Sequence, residues 1–391
     1  MSRPDDLESP VTIARTLIGY PSVTPDVGDA LNYLENLLEV LGFTCRRLDF
    51  GEGDERVDNL YARRGRGAPH FCFAGHMDVV PAGDSSEWSV APFEGVMRDG
   101  HLFGRGAVDM KGSIAAFVYA VAQRDVHEQG SISLLIAGDE EGPAVNGTVK
   151  VLEWLHEQDE IIDDFLVGEP TCREHLGDTI KIGRRGSLNL HLRVNGISGH
   201  AAYPELARNP VRAIARMVSE LCALELDEGN ENFQPSVLTC TSIDTNNPTS
   251  NVIPMQANAR MNIRFNDLHT RESLETLLRG VLDKASDTEK CVYEMDIVES
   301  GKPFLGKADR LISLLEDAIN AHVQLRTTLS TGGGTSDARF IRNYGRVVEF
   351  GLVGRSMHQA DECVAIEDLK RLGKIYGTLL DSYFAREKAH E

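Results

Sequence analysis

The sequence is short of basic residues, of paired cysteines and of long apolar runs, and each shortage removes a class of function. Forty lysines and arginines stand against 60 aspartates and glutamates, giving a formal net charge of −20. Nucleic acid and anionic membrane surfaces bind through a basic face, so neither is the expected partner. The seven cysteines (Cys45, Cys72, Cys172, Cys222, Cys240, Cys291 and Cys363) are widely spaced and include no C-x-x-C pair. That pattern argues against a disulfide framework or a structural zinc knot and for a reducing compartment. Met1–Val11 is polar and acidic, without an apolar stretch of signal-peptide or membrane length, so the expected location is the cytoplasm.

What is present is ordinary in bulk and informative in arrangement. Hydrophobic residues make up 41% of the chain and charged residues 26%, as in most globular proteins. A chain of 391 residues exceeds what one core usually serves, so two domains are expected. Ser9-Pro10 supplies a cap and a first-turn proline for an opening helix, and Leu31, Leu34, Leu38 and Leu41 repeat at helical spacing up to Gly42. Strand-like and helical patterns then alternate to about residue 184, which predicts a doubly wound α/β sheet. From Gly186 the order becomes β-α-β-β-α-β, with strands at Ser187–Val194, Ser236–Ile243, Ala257–Phe265 and Val292–Val298 and helices at Asn209–Leu224 and Thr270–Ser286. This is the ferredoxin-like α+β arrangement. The expected division is therefore 1–185 and 300–391 for one α/β domain, with 186–299 inserted.

Acidic and imidazole side chains lie just past strand-like apolar runs. His76 follows His70–Ala74, Asp109 follows Leu102–Gly104, Glu140 and Glu141 follow Ile132–Ala137, Glu169 follows Phe165–Val167, and His358 follows Val347–Leu352. Ligand sites in open α/β sheets form outside the carboxyl ends of the strands, so these residues can converge on one crevice and hold two metal ions. Each member alone has an ordinary reading: a helix cap for Asp109, a solvated turn for Asp139-Glu140-Glu141, a surface or core histidine for His358. Together they form a ligand set. Asp78, two positions after His76, is placed to orient the imidazole. Adjacent Glu140 and Glu141 can divide the work, one binding metal and one handling protons. The glycine-rich Gly332–Thr335 lacks the lysine of a phosphate-binding loop and reads as a loop for close approach to a substrate carboxylate.

Several segments carry a family resemblance: G-H-M-D-V-V-P, G-R-G-A-V-D-M-K-G, D-E-E-G, G-E-P, S-G-H-A-A-Y-P, N-V-I-P and M-H-Q-A-D-E. The chain resembles the dinuclear zinc aminoacylase and carboxypeptidase family, and G-R-R-G-S with T-G-G-G-T-S-D-A-R-F resembles its desuccinylase branch. The resemblance implies a zinc-peptidase-like catalytic domain, an inserted dimerisation and lid domain, and a homodimer. It also implies two zinc ions per subunit, replaceable by cobalt or manganese. Asp109 would bridge the ions, His76 and Glu169 would complete one, and Glu141 and His358 the other. Glu140 would be the general base and the Asp109–Met110 peptide cis; Asp78, as the residue that orients His76, is counted with Glu140 among the catalytic residues.

The same resemblance assigns Arg184, Ser187, Asn251, Arg264, Gly334 and Thr335 to substrate binding, and gives His200 to a partner subunit's active site as oxyanion stabiliser. The implied reaction is cleavage of N-succinyl-L,L-2,6-diaminopimelate to succinate and L,L-2,6-diaminopimelate, on the way to lysine and cell-wall precursors. The substrate's three carboxylates suit arginine, whose planar fork pairs with a carboxylate through two hydrogen bonds. The chain departs from the family pattern at Gly354, where many relatives place a substrate-binding asparagine. Two other readings compete: an acetylornithine deacetylase or carboxypeptidase of the same fold, and a non-catalytic, zinc-organised dimeric binding protein. A structural zinc site needs no free carboxylate beside its ligands, so Glu140 argues against the last.

Overall fold

A computed structural model of the chain describes residues 5–124 and 130–385. The chain divides into two compact units, one made of Met1–Ile182, Leu305–Ser330 and Ser336–Glu391, the other of Gly183–Phe304 and Thr331–Thr335. The second unit is wider than the expected 186–299. Its returning segment is held by Thr331, whose hydroxyl donates to the Asn232 carbonyl at 2.7 Å, and by Gly334, whose carbonyl accepts from Arg184 at 3.0 Å.

The first unit is built on an eight-stranded sheet. In spatial order its strands are Thr44–Phe50, Val57–Gly65, Ser131–Ala137, His70–His76, Asp164–Val167, Arg346–Glu349, Thr179–Lys181 and Thr328–Ser330. The four from Ser131–Ala137 to Arg346–Glu349 pair in parallel, and the pairs outward to Val57–Gly65 and Thr44–Phe50 are antiparallel. His70–His76 and Ser131–Ala137 are buried along their whole length, as strands covered on both faces must be. Alternate side chains serve different layers. Phe71, Phe73, Ile132 and Leu134 join the main core, while Tyr61 meets Trp154 of the helix Thr148–Glu157 edge-on, ring centroids 6.3 Å apart.

The helix Lys111–Ala122 is apolar nearly all round, which suits an element enclosed on every side. It packs against Pro10–Ile18 and Ile366–Phe384. Phe117 stacks on Phe73 at 4.3 Å and meets Tyr376 edge-on at 5.9 Å. Ser9 caps the Pro10–Ile18 helix by accepting from the Val11 amide at 3.2 Å.

The second unit carries an antiparallel sheet in the order Val237–Asp244, Gln256–Phe265, Gly186–Asn195, Val292–Gly301. The helices Pro210–Cys222 and Arg271–Glu289 cover one face, against which Leu188, Leu190, Leu192 and Val194 alternate inward. With a helix after the first strand and another after the third, this is the β-α-β-β-α-β order of a ferredoxin-like unit.

Candidate metal centre and active site

The four parallel strands run the same way, so the turns after their carboxyl ends gather along one edge of the sheet. His76 ends its strand, Glu140 and Glu141 follow the strand ending at Ala137, Glu169 follows Val167, and His358 lies on the chain leaving Glu349. Asp109 comes from the loop between His101–Phe103 and the helix Lys111–Ala122. Met110, not Asp109, holds the N-cap position of that helix, and no side chain caps it. The Asp109–Met110 peptide bond is cis.

Asp109 stands at the centre of the cluster. Its Oδ1 lies 3.1 Å from His76 Nε2 and its Oδ2 lies 3.3 Å from His358 Nε2, so each oxygen faces a different imidazole. Glu169 Oε1 is 3.7 Å from His76 Nε2, and Glu141 Oε1 is 2.9 Å from His358 Nε2. The potential ligand atoms of His76, Asp109 and Glu169 all lie within 4.8 Å of one another. The same holds for Asp109, Glu141 and His358, and for His76, Glu140 and Glu141. Two three-residue groups thus share one carboxylate, which has lone pairs for both.

The surroundings fix these groups. His76 Nδ1 lies 2.8 Å from the backbone carbonyl of Asp78; with the ring proton there, Nε2 is left to accept a metal. The Asp78 carboxylate, at 3.6 Å from the ring, holds other partners: it accepts from the amides of Glu140 at 3.2 Å and Glu141 at 3.0 Å. Asp78 orients His76 through its carbonyl, and its fully buried carboxylate sets the turn that carries the two glutamates.

Negative charge is in excess. Burial pushes the Glu140 carboxyl up to about 8, reinforced by Asp337, Glu141 and Asp109 and opposed by His76. Burial, then Asp109 and Glu140, hold Glu169 well above the usual carboxylate range. Burial acts against the His76 imidazolium, yet its hydrogen bond to Asp109 and the nearby carboxylates raise its pKa well above 6.5. Hydrogen bonds to Asp109 and Glu141 raise His358 to about 10. Burial would raise Asp109, but hydrogen bonds from His358 and His76 hold it low. Three carboxylates and two imidazoles, with the Glu140 carboxyl beside them, form a donor set short of positive charge and of the mixed N/O type that zinc, cobalt and manganese accept. These residues fit two divalent cations.

The remaining expected residues belong to the second unit. Ser187 and Arg264 are cross-strand partners, and Arg184 on the adjoining strand reaches the Gly334 carbonyl. One guanidinium nitrogen of Arg264, Nη1, is buried without a hydrogen-bond partner. Burial and the charges of Arg185 and Arg184 lower the Arg264 pKa, the mark of a cationic cluster that an anion would relieve. Thr335 closes the Thr331–Thr335 segment of this unit. His200 and Asn251 lie together elsewhere, at the short pair Gly199–His200 and Val252–Ile253. Asn251 accepts the Ala201 amide at 2.9 Å, and the exposed His200 ring accepts the Ala202 amide at 3.0 Å. At the Gly354 departure, Arg355 pairs with Glu174 at 2.9 Å with both side chains exposed. Sequence reasoning passed over Asp337, Lys111, Arg105 and Glu362, all buried within the first unit. Each stands inside a motif already noted, which was the available signal.

The model of peptidase family M20/M25/M40 matches residues 72–382. The chain belongs to this family. Among curated relatives, the succinyl-diaminopimelate desuccinylase of Rhodospirillum centenum is 54% identical over 380 residues, covering 96% of this chain and 97% of the relative. The enzyme of the same name from Parvibaculum lavamentivorans is 52% identical, with 98% of each chain covered. The M20 fold is equally visible in solved structures. Aminopeptidase PepT of Bacillus cereus superposes with a TM-score of 0.77 at 15% identity, covering 96% of this chain and 98% of its own. The YXEP protein of Bacillus subtilis, a dinuclear metal-binding M20 peptidase, superposes with a TM-score of 0.70 at 16% identity, covering 96% and 97%.

Proposed function

We propose that this chain is a metal-dependent amide hydrolase that cleaves N-succinyl-L,L-2,6-diaminopimelate to succinate and L,L-2,6-diaminopimelate, a step toward lysine and cell-wall precursors. The observation that carries the reading is the desuccinylase identity of relatives that match it along nearly the whole chain. The shared Asp109 and the two groups around it supply the chemistry such a reaction needs. Zinc is the metal of the reading; His76, Asp109 and Glu169 would hold one ion, and Asp109, Glu141 and His358 the other. When bound, two such ions supply Lewis acidity that polarises the amide carbonyl and acidifies water.

The chain's own groups do the rest. Glu140 is the general base: it takes a proton from the attacking water and delivers it to the departing amine nitrogen. Asp78 holds the amides of Glu140 and Glu141 and so keeps base and ligand in register. Arg184 and Arg264 hold substrate carboxylates through paired hydrogen bonds, with Ser187, Asn251, Gly334 and Thr335 as further contacts. His200 stabilises the developing oxyanion across a homodimer. The net acidic chain works in the cytoplasm; among the described residues, no helix is long and apolar enough to cross a membrane.

The test compares succinate release from N-succinyl-L,L-diaminopimelate with acetate release from N-acetylornithine, using zinc-loaded protein and a chelated control. Chelator-sensitive release of succinate with little acetate is expected. Preference for the acetylated substrate would move the function to a sister amidohydrolase, and no hydrolysis of either would favour a binding protein.

A further inference from the structure

Glu362 has no part in the chemistry above, yet its carboxylate is fully buried and surrounded by donors. Oε2 accepts from Arg105 Nη1 at 2.8 Å and from the Gly106 amide at 3.0 Å. Oε1 accepts from the amides of Val108 at 2.9 Å and Asp109 at 3.2 Å. Its backbone carbonyl takes the Gly104 amide at 2.9 Å. The strand pairing explains how it arrives there: Cys363 sits opposite Phe103, so Glu362 lies beside the start of the Asp109 loop. A buried carboxylate is tolerated only when its lone pairs are satisfied, and here most of them are satisfied by one loop.

The same residue lies four positions after His358. Arg105, itself buried, ties the two segments a second time, donating to the Gln359 carbonyl at 3.2 Å while its guanidinium lies 5.3 Å from the centre of the Trp88 ring. The loop that presents Asp109 and the segment that presents His358 are thus clamped to each other through Glu362 and Arg105. Asp109 reaches both imidazoles only if its backbone is held at one setting, and Glu362 grips that backbone at the Asp109 amide itself.

We propose that Glu362 is a positioning residue for the dinuclear centre, fixing the Gly104–Asp109 backbone so that the two oxygens of Asp109 face His76 and His358. The inference rests on reading that cluster as a metal centre, and its test needs no substrate. In Glu362→Gln the side-chain amide turns an NH2 group toward backbone donors. Zinc affinity, measured by competition with a chromogenic chelator, should fall by about 10–100-fold, the usual effect of removing a group that orients a ligand. Both ions should weaken together, because Asp109 belongs to both groups.

In an Asp109→Asn background the same substitution should change zinc affinity by less than about threefold, since the carboxylate it positions is gone. Unchanged affinity in Glu362→Gln, or an equal fall in both backgrounds, would overturn the proposal, the latter because it signals a general loosening of the fold. Should Glu362→Gln fail to fold, Arg105→Lys keeps a cation beside Glu362 but loses the fork. Its affinity should also fall only while Asp109 is present, and equal falls again overturn the proposal. A wild-type protein that binds two zinc ions but releases no succinate would remove the functional reading and leave this one standing.

Discussion

Loading the metal-free protein with zinc at pH 7 should expel at least about two protons per subunit. His358, raised to about 10 by its hydrogen bonds to Asp109 and Glu141, carries a proton at that pH when no cation is bound. So does His76, because Asp109 and the surrounding carboxylates outweigh the effect of its burial. A ligand imidazole must be neutral, so each ring gives up one proton. Glu140, pushed to about 8 by burial, and Glu169, also raised, add to the count to the extent that they are protonated. Asp109, held low by the two histidines, adds none. The sign follows: raised pKa values mean that binding competes with protons, so affinity must climb as pH rises, up to the His358 value. With at least two protons released, the product of the two binding constants should grow at least about 100-fold per pH unit, or about 2.7 kcal/mol. Titration calorimetry at pH 7 in buffers of different ionisation heat reads the proton number directly. A proton number near zero, or affinity that stays flat from about pH 6 to pH 8, would refute the reasoning, because it would mean that the rings are already neutral without metal.

Glu140→Ala should retain two zinc ions while kcat falls about 10²–10⁴-fold; unchanged turnover would remove Glu140 as the base. Arg264→Ala should raise KM for the succinylated substrate by about 10–100-fold, corresponding to loss of a charge-assisted hydrogen bond, with zinc content unaltered; an unchanged KM would count against the carboxylate contact. Phe117→Ala, which empties a site packed by Phe73 and Tyr376, should destabilise the fold by about 3–5 kcal/mol in denaturant unfolding, and a loss below about 1 kcal/mol would show that the site collapses.

Much of the site was legible because its residues share a topological address. A polar residue just past an apolar run reads as a strand-end residue whatever the fold, and His76, Glu140, Glu141 and Glu169 all sit there. The ferredoxin-like unit was legible for a similar reason, as Leu188, Leu190, Leu192 and Val194 alternate at the period of a strand. What escaped depends on partners far away in the chain. Glu362 looks like a surface acid in sequence, and its burial follows from amides more than 250 positions earlier. Asp78 was expected to orient His76, and it does so through its carbonyl; that its carboxylate holds the amides of Glu140 and Glu141 could not be read from the sequence. The apolar run Val347–Leu352 also overstates its strand, which stops at Glu349 because apolarity marks burial and not pairing.

The split of the first unit around the second has a consequence for how the protein is made. His76, Asp109, Glu141 and Glu169 all precede Gly183, whereas His358 follows Phe304. A ribosome adding about 5–20 residues per second delivers His358 about 10–40 s after Glu169, once the whole second unit has been synthesised. During that interval the strand Arg346–Glu349, which fills the sheet between Asp164–Val167 and Thr179–Lys181, does not yet exist. When the second unit begins to emerge, the nascent chain therefore holds one complete group of candidate ligands, His76, Asp109 and Glu169, and six of the sheet's eight strands. The second group, Asp109, Glu141 and His358, can be completed only after the whole of the second unit has been synthesised.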